Sequence, residues 1–334
     1  MRALITASFD AAARVRLERL MDVVHEDWKE RGSIYFDGTQ FAAHIRDVGA
    51  DVLIVEADLV HAEVLNACRL RMIGCCRGDP VNVDLELATA QGVPVFHAPG
   101  RNADAVADLA VAFMLMLVRR LPAIHDAFRG DGAVRVESAG DYLALYERFT
   151  GAELGGRTVG LVGLGAVGRE VAARLLAFKA RVIAADPHPA EVPPGVALVA
   201  LDDLLRTADI VSLHAPLTPE THGLLSRERL GRLKPSALFV NSARAQLADE
   251  DALYEMLRDG RLAGAALDVV SDEPLRPGHR FLALPSVVVT PHIGGATVDV
   301  VRHQSEIVVE AIERYLRGER PRWIANPAVL DGRR

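Results

Sequence analysis

Cysteine and long hydrophobic runs are both scarce in this chain. Only three cysteines occur among 334 residues, Cys68, Cys75 and Cys76, and an odd, sparse set of this kind is not a disulfide framework. The longest apolar run, residues 109–118, has roughly half the length that a helix needs to cross a bilayer. No apolar stretch near the amino terminus leads to a small-residue cleavage site, so a signal peptide is not expected. These features favour a cytoplasmic protein with buried thiols.

Positive charge is also in short supply. The 38 lysines and arginines are outnumbered by 45 acidic residues, which argues against the basic surface that nucleic-acid-binding proteins carry. A small anionic substrate is not excluded, because a few arginines can dominate the field inside a cleft. No group of histidines, cysteines and carboxylates has metal-ligand spacing, so no metal is expected. The composition is that of an ordinary globular protein, and 334 residues favour two domains.

Two stretches of the sequence alternate between short apolar runs and helical patterns, which predicts parallel sheets with helices on both faces. The first stretch has predicted strands at 3–5, 51–55, 71–75 and 93–96, and helices at 11–21, 41–48, 62–68 and 83–91. The second has six predicted strands, at 158–162, 181–185, 210–214, 237–241, 263–268 and 287–290, and helices at 167–178, 202–206, 227–233 and 250–257. Six strands with crossover helices make a complete doubly wound nucleotide-binding sheet.

Three further segments connect or close these stretches. Residues 102–120 form a predicted helix that is apolar almost all round, and such a helix must be buried. It is either an interior core helix or one packed between two domains and against a partner subunit. Residues 130–156 are polar and rich in glycine, which predicts a connection over the surface. A second long helix, predicted at 297–317, would return the chain to the first domain.

A glycine motif directly follows the predicted strand at 158–162. Gly163, Gly165 and Gly168 have the spacing of the dinucleotide-binding fingerprint, in which they permit a tight turn, the approach of a pyrophosphate and close helix packing. The amides of Ala166 and Val167 would lie at a helix N-terminus, which favours an anion. The spacing alone is weak evidence, because a glycine-rich turn without a ligand is the alternative. Here, however, strand, turn and helix follow in the required order.

The next predicted strand ends on Asp186, 18 residues after the last glycine. A carboxylate at this position accepts hydrogen bonds from ribose hydroxyls and would repel a 2′-phosphate. No arginine follows it, because the sequence continues with Pro187, His188 and Pro189. NAD is therefore predicted as the cofactor, in preference to NADP.

Polar residues near the ends of three later strands carry the candidate chemistry. They are Arg244, Glu273 and His292, and ligands of open α/β sheets bind outside the carboxyl ends of the strands. Taken alone, each has an ordinary interpretation, as a surface arginine, a turn carboxylate and a loop histidine. In this order, together with residues 92–108 and 213–221, they resemble the D-isomer-specific 2-hydroxyacid dehydrogenase family over nearly the whole chain.

This resemblance implies an α/β fold of two doubly wound parallel-sheet domains. A Rossmann NAD-binding domain at 102–292 would be inserted in a discontinuous flavodoxin-like substrate domain at 1–101 and 293–334, with a cleft between them. The implied activity is the NAD(H)-dependent interconversion of a D-2-hydroxy acid and its 2-keto acid. The implied assembly is a homodimer formed through the 102–120 helix.

The resemblance also implies roles for individual residues. His292 would be the acid/base, a role that suits a side chain titrating near neutrality. Glu273 would fix its tautomer and favour its protonated form, and Arg244 would hold the substrate carboxylate in a fork that lysine does not offer. Further cofactor contacts are implied for His214, Ala215, Pro216, Thr221, Ser242, Ala243, Asp268 and Gly294. A structural role at a strand end is equally open for the first of these.

The predicted substrate loop departs from the family pattern, because residues 76–82 replace its usual glycine-rich run. Amides around Gly78 would help to bind the substrate carboxylate. Arg77 and Arg101 would bind a second anionic or polyhydroxylated group, unless they pair with acids such as Asp79 and Asp104.

Two alternative functions stay open. One is a non-catalytic NAD-sensing regulator on the same fold, which the short segment after the last predicted helix disfavours. The other is a short-form D-3-phosphoglycerate dehydrogenase. The sequence does not identify the 2-hydroxy acid.

Overall fold

The computed structural model describes residues 1–129 and 133–331, which form two compact units. The first unit contains Met1–Arg101 and the described residues from Thr297 onward, and the second contains Asn102–Ala296. Each unit is built on one parallel β-sheet with helices packed against it. The predicted fold class, two α/β domains with parallel sheets, is therefore confirmed. The later division between the units falls a few residues beyond the predicted boundary at 292.

The strands, in chain order, are β1 (Arg2–Ile5), β2 (Asp22–His25), β3 (Val52–Val55), β4 (Met72–Cys75), β5 (Val95–His97), β6 (Thr158–Val162), β7 (Arg181–Ala185), β8 (Val196–Leu198), β9 (Ile210–Leu213), β10 (Leu238–Asn241), β11 (Gly264–Leu267) and β12 (Val287–Val289). The α-helices are α1 (Ala11–Glu18), α2 (Trp28–Arg31), α3 (Gly38–Val48), α4 (Ala62–Ala67), α5 (Leu85–Ala90), α6 (Ala103–Val118), α7 (Leu121–Ala127), α8 (Ala139–Phe149), α9 (Ala166–Ala177), α10 (Leu201–Thr207), α11 (Arg227–Leu230), α12 (Glu250–Arg258) and α13 (Val298–Leu316).

The sheet of the first unit has the order β2-β1-β3-β4-β5, and every strand pair is parallel. Ala3 and Ile5 of β1 join a hydrophobic cluster with residues of α13, whereas Leu4 joins a second cluster with residues of α3. The division arises because successive side chains of a strand point to opposite faces. A Cβ on Gly74 of β4 would lie 2.6 Å from Cγ1 of Val308, so glycine at this position lets α13 pack closely on the sheet.

The sheet of the second unit has the order β12-β11-β10-β9-β6-β7-β8, again with every pair parallel. From β6 the chain first builds one side of the sheet, with β7 and β8, and then the other side, from β9 to β12. The strand order therefore reverses at β6. In a sheet of this kind, ligands bind in the crevice beside the carboxyl end of the strand where the order reverses.

Helix α6 belongs to the second unit, where it packs against α9, β10 and β11. Most of its side chains are buried, but Asp104 and Asp108 are exposed. Their carboxylates form ion pairs with Arg174 of α9 at 2.9 and 2.7 Å. Within its unit, the predicted apolar helix is therefore a core helix with one polar stripe.

The structure contains several elements that the sequence pattern did not predict. β2 and β8 are short edge strands without a buried apolar run, and the second sheet therefore has seven strands instead of six. The predicted surface connection at 130–156 has a regular element that the sequence pattern did not indicate. It contains α8, whose start is stabilised by a capping box between Ser138 and Asp141. Residues 130–132 of this segment lie outside the described residues.

Candidate active site

The glycine loop lies at the carboxyl end of β6, in contact with the loop that follows β9. Gly163 has a φ of 97°, and a Cβ there would lie 2.6 Å from the amide nitrogen of Ala215. Only glycine permits both this conformation and this close approach. A Cβ on Gly168 would clash with the carbonyl oxygen of Gly163, so the start of α9 packs directly on the loop. By contrast, among the described residues outside its own turn, no atom lies within 4 Å of a Cβ placed on Gly165.

Helix α9 begins directly at this open position. Its N-cap is Gly165, which has no side chain to bond the first amides of the helix. The amides of Ala166 and Val167 therefore lie at the N-terminus of a 12-residue helix without a capping group. Aligned amides of this kind attract an anion. The open space and the helix start together fit the pyrophosphate of a dinucleotide.

Asp186, which follows β7, is partly buried beside the glycine loop. Its Oδ2 accepts a hydrogen bond from the amide of Leu164 at 2.7 Å, and its Oδ1 accepts one from the amide of His188 at 2.8 Å. A carboxylate has about four lone-pair sites, so acceptor sites remain for ribose hydroxyls. The negative charge would repel a 2′-phosphate at the same place.

Two buried polar atoms near the carboxyl edge of this sheet have no hydrogen-bond partner in the part of the chain that the structure describes. They are Oγ of Ser242, after β10, and Nδ1 of His214, after β9. The other ring nitrogen of His214 lies 2.9 Å from Oγ of Ser212. Buried polar groups without partners are rare and call for a ligand or a water molecule. Their position supports a bound dinucleotide along this edge.

His214 gives the folded state a specific pH dependence. Burial lowers the pKa of its imidazole from 6.5 to about 4, so the unfolded chain binds a proton between these pH values that the folded chain does not bind. Stability from the neutral ring is present above pH 6.5 and is lost as the pH falls toward 4. We expect urea unfolding to report about 2 kcal/mol less stability at pH 5 than at pH 7.5 from this residue.

The prediction is tested with the variant His214→Asn. The control is His188→Ala, which changes a histidine at an exposed position. The loss of stability on acidification should become smaller in His214→Asn and stay unchanged in His188→Ala. Equal losses in all three proteins would show that His214 does not contribute.

The remaining predicted cofactor residues of the β9 loop lie in a compact turn. The hydroxyl of Thr221 donates to the carbonyl oxygen of Pro216 at 2.6 Å and accepts from the amide of Thr218 at 2.7 Å. Ala215 is buried against the glycine loop, and Pro216 is exposed. This turn holds the segment beside the crevice at β6.

His292 and Glu273 form a hydrogen-bonded pair in the second unit. Nδ1 of His292 lies 3.0 Å from Oε2 of Glu273, and Nδ1 is the donor because an ionised carboxylate only accepts. The two side chains are 47% and 38% exposed. Nε2 of His292 has no partner among the described residues, so this nitrogen is available to exchange a proton with a substrate.

A buried carboxylate holds the backbone around this histidine. Asp268 is 1% exposed, and it accepts hydrogen bonds from Oγ1 of Thr290 at 2.5 Å and from the amides of Ile293 and Gly294 at 2.9 and 2.8 Å. Its carbonyl oxygen accepts from the amide of His292 at 2.8 Å. These bonds hold His292 at a φ of 57°, which is uncommon for a residue with a side chain. Asp268 therefore positions the histidine loop, and its predicted contact with a nicotinamide stays a prediction.

Arg244 follows β10 and is exposed. Asn241 fixes the backbone on either side of it, because its Nδ2 donates to the carbonyl oxygen of Arg244 at 2.9 Å and its Oδ1 accepts from the amide of Ala243 at 3.0 Å. The guanidinium donates to the Ala243 carbonyl at 2.6 Å and forms no ion pair with a described residue. Its remaining donors are available to a substrate carboxylate.

The three catalytic candidates share one edge of the sheet. β10, β11 and β12 are adjacent and parallel, and Arg244, Glu273 and His292 follow these strands in this order. Parallel strands end on the same side, so the fold brings the three segments to the edge that also carries the glycine loop.

The predicted substrate residues Arg77, Gly78 and Arg101 belong to the first unit. Arg101 is bonded to Glu56, with Nη1 3.3 Å from Oε1, and to the side-chain oxygen of Gln304. Glu56 is thus an acidic partner of Arg101, in addition to the acids considered from the sequence. The carbonyl oxygen of Gly78 accepts a hydrogen bond from Nδ1 of His97 at 2.9 Å.

The sequence assigned no role to three of the residues described above: Asn241 and Thr290 of the second unit and Gln304 of the first. Asn241 and Gln304 are almost completely buried, and a polar residue inside an apolar strand or helix face is the signal that would have found them. Thr290 directly precedes the Pro291-His292 pair, and no local signal distinguishes its hydroxyl from an ordinary strand residue.

Among the described residues, no group of three or more histidine, cysteine, aspartate or glutamate side chains is arranged to hold a metal ion. No helix in the described part of the chain is both long enough and apolar enough to span a membrane.

Comparison with known proteins agrees with this architecture. Residues 111–294, more than half of the chain, match the family model described as D-isomer specific 2-hydroxyacid dehydrogenase, NAD binding domain. The chain is 35% identical over 317 residues to the glyoxylate reductase of Thermofilum pendens, covering 92% of this chain and 89% of that protein. It is 37% identical over 327 residues to the D-3-phosphoglycerate dehydrogenase of Mycobacterium leprae, covering 97% of this chain but 58% of that enzyme.

Among solved structures, the TT0316 protein of Thermus thermophilus superposes with a TM-score of 0.79 at 38% identity, covering 97% of this chain and 100% of that one. The likeness thus extends over both units and is not confined to the nucleotide-binding sheet. The chain belongs to the D-isomer specific 2-hydroxyacid dehydrogenase family, and it is an oxidoreductase with a nicotinamide-nucleotide-binding domain.

Proposed function

We propose that this protein interconverts a D-2-hydroxy acid and its 2-keto acid with NAD(H), using His292 as the acid/base. The observation that carries the proposal is the 3.0 Å hydrogen bond between Nδ1 of His292 and Oε2 of Glu273. It fixes the tautomer and leaves Nε2 for the substrate oxygen. The buried Asp268 carboxylate supports the geometry, because it holds the backbone of the same loop.

Each residue has a defined task in this reaction. In the oxidation of the alcohol, Nε2 of His292 accepts the hydroxyl proton, and Glu273 stabilises the resulting imidazolium. Arg244 binds the C1 carboxylate through two parallel hydrogen bonds and polarises the oxygen on C2. The nicotinamide, when bound, supplies or accepts the hydride at C2. In the reduction, His292 returns its proton to the carbonyl oxygen.

The cofactor is proposed to be NAD rather than NADP. The support is the carboxylate of Asp186 beside the glycine loop, together with the pyrophosphate site at Gly165, Ala166 and Val167. The loop residues Gly163 and Gly168 would shape this site. His214, Ala215, Pro216, Thr221, Ser242, Ala243 and Gly294 would line the rest of the crevice, as the sequence predicts.

The test is an NADH-oxidation assay across 2-keto acids, including glyoxylate, hydroxypyruvate, and phosphorylated and sugar-derived acids, repeated with NADPH. The proposal predicts turnover with at least one acid and a kcat/KM at least about 10-fold higher with NADH, because a desolvated like-charge contact costs more than about 1.4 kcal/mol. No turnover with any acid would refute the activity. A preference for NADPH would refute only the role of Asp186.

The unit Asn102–Ala296 is proposed as the NAD-binding domain, and the other unit as the substrate domain, to which Arg77 and Gly78 belong.

We also propose a cytoplasmic location, which the three buried free thiols support, since thiols stay reduced there.

A homodimer is proposed through the face of the second unit that carries the end of α6, α7 and α8. Phe128 is 50%, Tyr142 64%, Leu143 58% and Tyr146 66% exposed, and Tyr146 lines a cavity of about 420 Å³. Monomers rarely expose so many apolar side chains together. We expect light scattering to give twice the chain mass of 36.1 kDa, and the double variant Tyr142→Glu, Tyr146→Glu to give the mass of one chain.

The control for the dimer is Phe36→Glu, which places the same charge at a side chain that is 71% exposed in the first unit. It should keep the dimer. A wild-type protein with the mass of one chain, or a dimer that survives both tyrosine changes, would contradict the proposed interface.

A further inference from the structure

Arg77 lies just after β4, at the carboxyl end of the first unit's sheet. Its side chain is partly buried, yet its guanidinium has no hydrogen-bond or ion-pair partner among the residues that the structure describes. Taking a guanidinium partly out of water without a counter-ion is unfavourable. An arginine in this state is therefore suited to a negatively charged ligand.

Other arginines at this edge of the sheet are already neutralised by the protein. Arg31 pairs with the fully buried Asp58 at 3.1 Å, and Arg101 pairs with Glu56 at 3.3 Å. Oε2 of Glu56 also accepts a hydrogen bond from Nε2 of Gln304 at 3.3 Å. These acids are engaged elsewhere, so the charge of Arg77 is left for a ligand, and the predicted substrate role of Arg101 stays a prediction.

The loop that carries Arg77 is held in place by the neighbouring strands. The carbonyl oxygen of Arg77 accepts from the amide of Ala98 at 2.7 Å, and that of Gly78 accepts from His97. Farther along the loop, Nδ2 of Asn82 donates to a carbonyl of the loop after β3 at 2.8 Å. A fixed backbone reduces the entropy that the arginine loses when a ligand binds.

The positive charge of Arg77 also affects the pKa of the Cys75 thiol, at the end of β4. Burial raises the pKa of this thiol to about 12, and the positive charge of Arg77 opposes that rise. The guanidinium therefore lies close enough to the end of β4 to act on this buried thiol.

We propose that Arg77 binds a second anionic group of the substrate, a phosphate ester or a second carboxylate, in addition to the C1 carboxylate common to all 2-keto acids. This inference rests on the proposed function. The fork of the guanidinium suits both kinds of anion, because each offers two oxygens to parallel N–H donors. The substrate class is then a 2-keto or 2-hydroxy acid with two negatively charged groups.

The experiment compares matched substrates that differ in the second anion. Hydroxypyruvate is paired with its 3-phosphate, and pyruvate with oxaloacetate, in NADH-oxidation assays of the full chain. We expect the wild-type protein to prefer one dianionic substrate over its partner. Arg77→Gln should lower kcat/KM for that substrate by about 10- to 100-fold, the loss of a charge-assisted hydrogen bond, and leave the partner within about 2-fold.

The outcomes separate the possible explanations. Arg77→Lys should keep part of the preference for the dianionic substrate that Arg77→Gln loses. Arg46→Gln, at an exposed position of α3, should leave kcat/KM unchanged for every acid. A preference within the phosphate pair identifies a phosphate ester, and one within the carboxylate pair identifies a dicarboxylic acid. Equal losses for both members of a pair, or a wild-type preference for the less charged acids, would overturn the role of Arg77 without affecting the proposed activity.

A second measurement covers the case in which none of these acids is reduced, which would count against the proposed activity. Inorganic phosphate should raise the melting temperature of the wild-type protein and of Arg46→Gln, but not that of Arg77→Gln. The same rise in all three proteins, or no rise in any, would overturn the anion site.

Discussion

Replacing His292 by alanine is expected to lower kcat by about 10²- to 10⁴-fold, the range supplied by a positioned general acid/base. Nε2 of the imidazole has no partner among the described residues, and Nδ1 is already oriented by Glu273 at 3.0 Å. The affinity for NADH should change little, because the glycine loop and Asp186 are untouched. Steady-state kinetics and NADH fluorescence titration measure the two quantities separately.

The control is His61→Ala, which removes an exposed imidazole at the start of α4 in the first unit and should leave kcat unchanged. The kcat of Glu273→Gln should lie between those of His292→Ala and His61→Ala, because glutamine can still accept the hydrogen bond but does not stabilise the imidazolium. Turnover by His292→Ala at more than about a tenth of the wild-type rate would assign the acid/base role to another group.

Replacing Arg244 by alanine is expected to lower kcat/KM by about 10²- to 10³-fold, because two charge-assisted hydrogen bonds to the substrate carboxylate are lost. Arg244→Lys should recover only part of this loss, with a higher KM and a lower kcat, since an ammonium group does not reproduce the planar fork. The backbone should be unaffected, because Asn241 holds it through Nδ2 and Oδ1. The assay is reduction of the best 2-keto acid at saturating NADH.

The matched control is Arg261→Lys, an exposed arginine of the same unit with an acidic neighbour, Asp259, at 3.6 Å. This change should have no kinetic effect. If Arg244→Lys were as active as the wild-type protein, a single positive charge would suffice and the bidentate contact would be refuted. If Arg244→Ala lost NADH binding as well, the residue would act on the cofactor domain and not on the substrate.

Much of the fold was predictable because the signals are local. Parallel strands buried on both faces appear in the sequence as apolar runs, and β6 and β7 have the predicted bounds. The strands β2 and β8 lie at sheet edges, where partly exposed residues do not produce such a run. Helix α8 was missed for a related reason, since none of its side chains is buried and no core-facing pattern marks it.

The candidate residues of the reaction were also identifiable from the sequence, because their residue types and order along the chain are specific. The glycine spacing predicted a nucleotide loop, Asp186 favoured NAD, and the order of Arg244, Glu273 and His292 indicated the family. Each of these inferences uses residues that are close together in sequence or follow successive strands. None of them needs a contact between distant segments.

Only the tertiary structure decided which charges are compensated. Arg101 pairs with Glu56, 45 residues away, and with Gln304, 203 residues away, whereas Arg77 on the same edge has no such partner among the described residues. Similarly, the buried carboxylate of Asp268 organises the loop around His292, more than 20 residues later in the chain. Residue type and spacing determine which side chains can carry charge or a proton. Which of them stay available to a substrate depends on partners that folding brings together from distant parts of the chain, and sequence patterns of neighbouring residues do not contain that information.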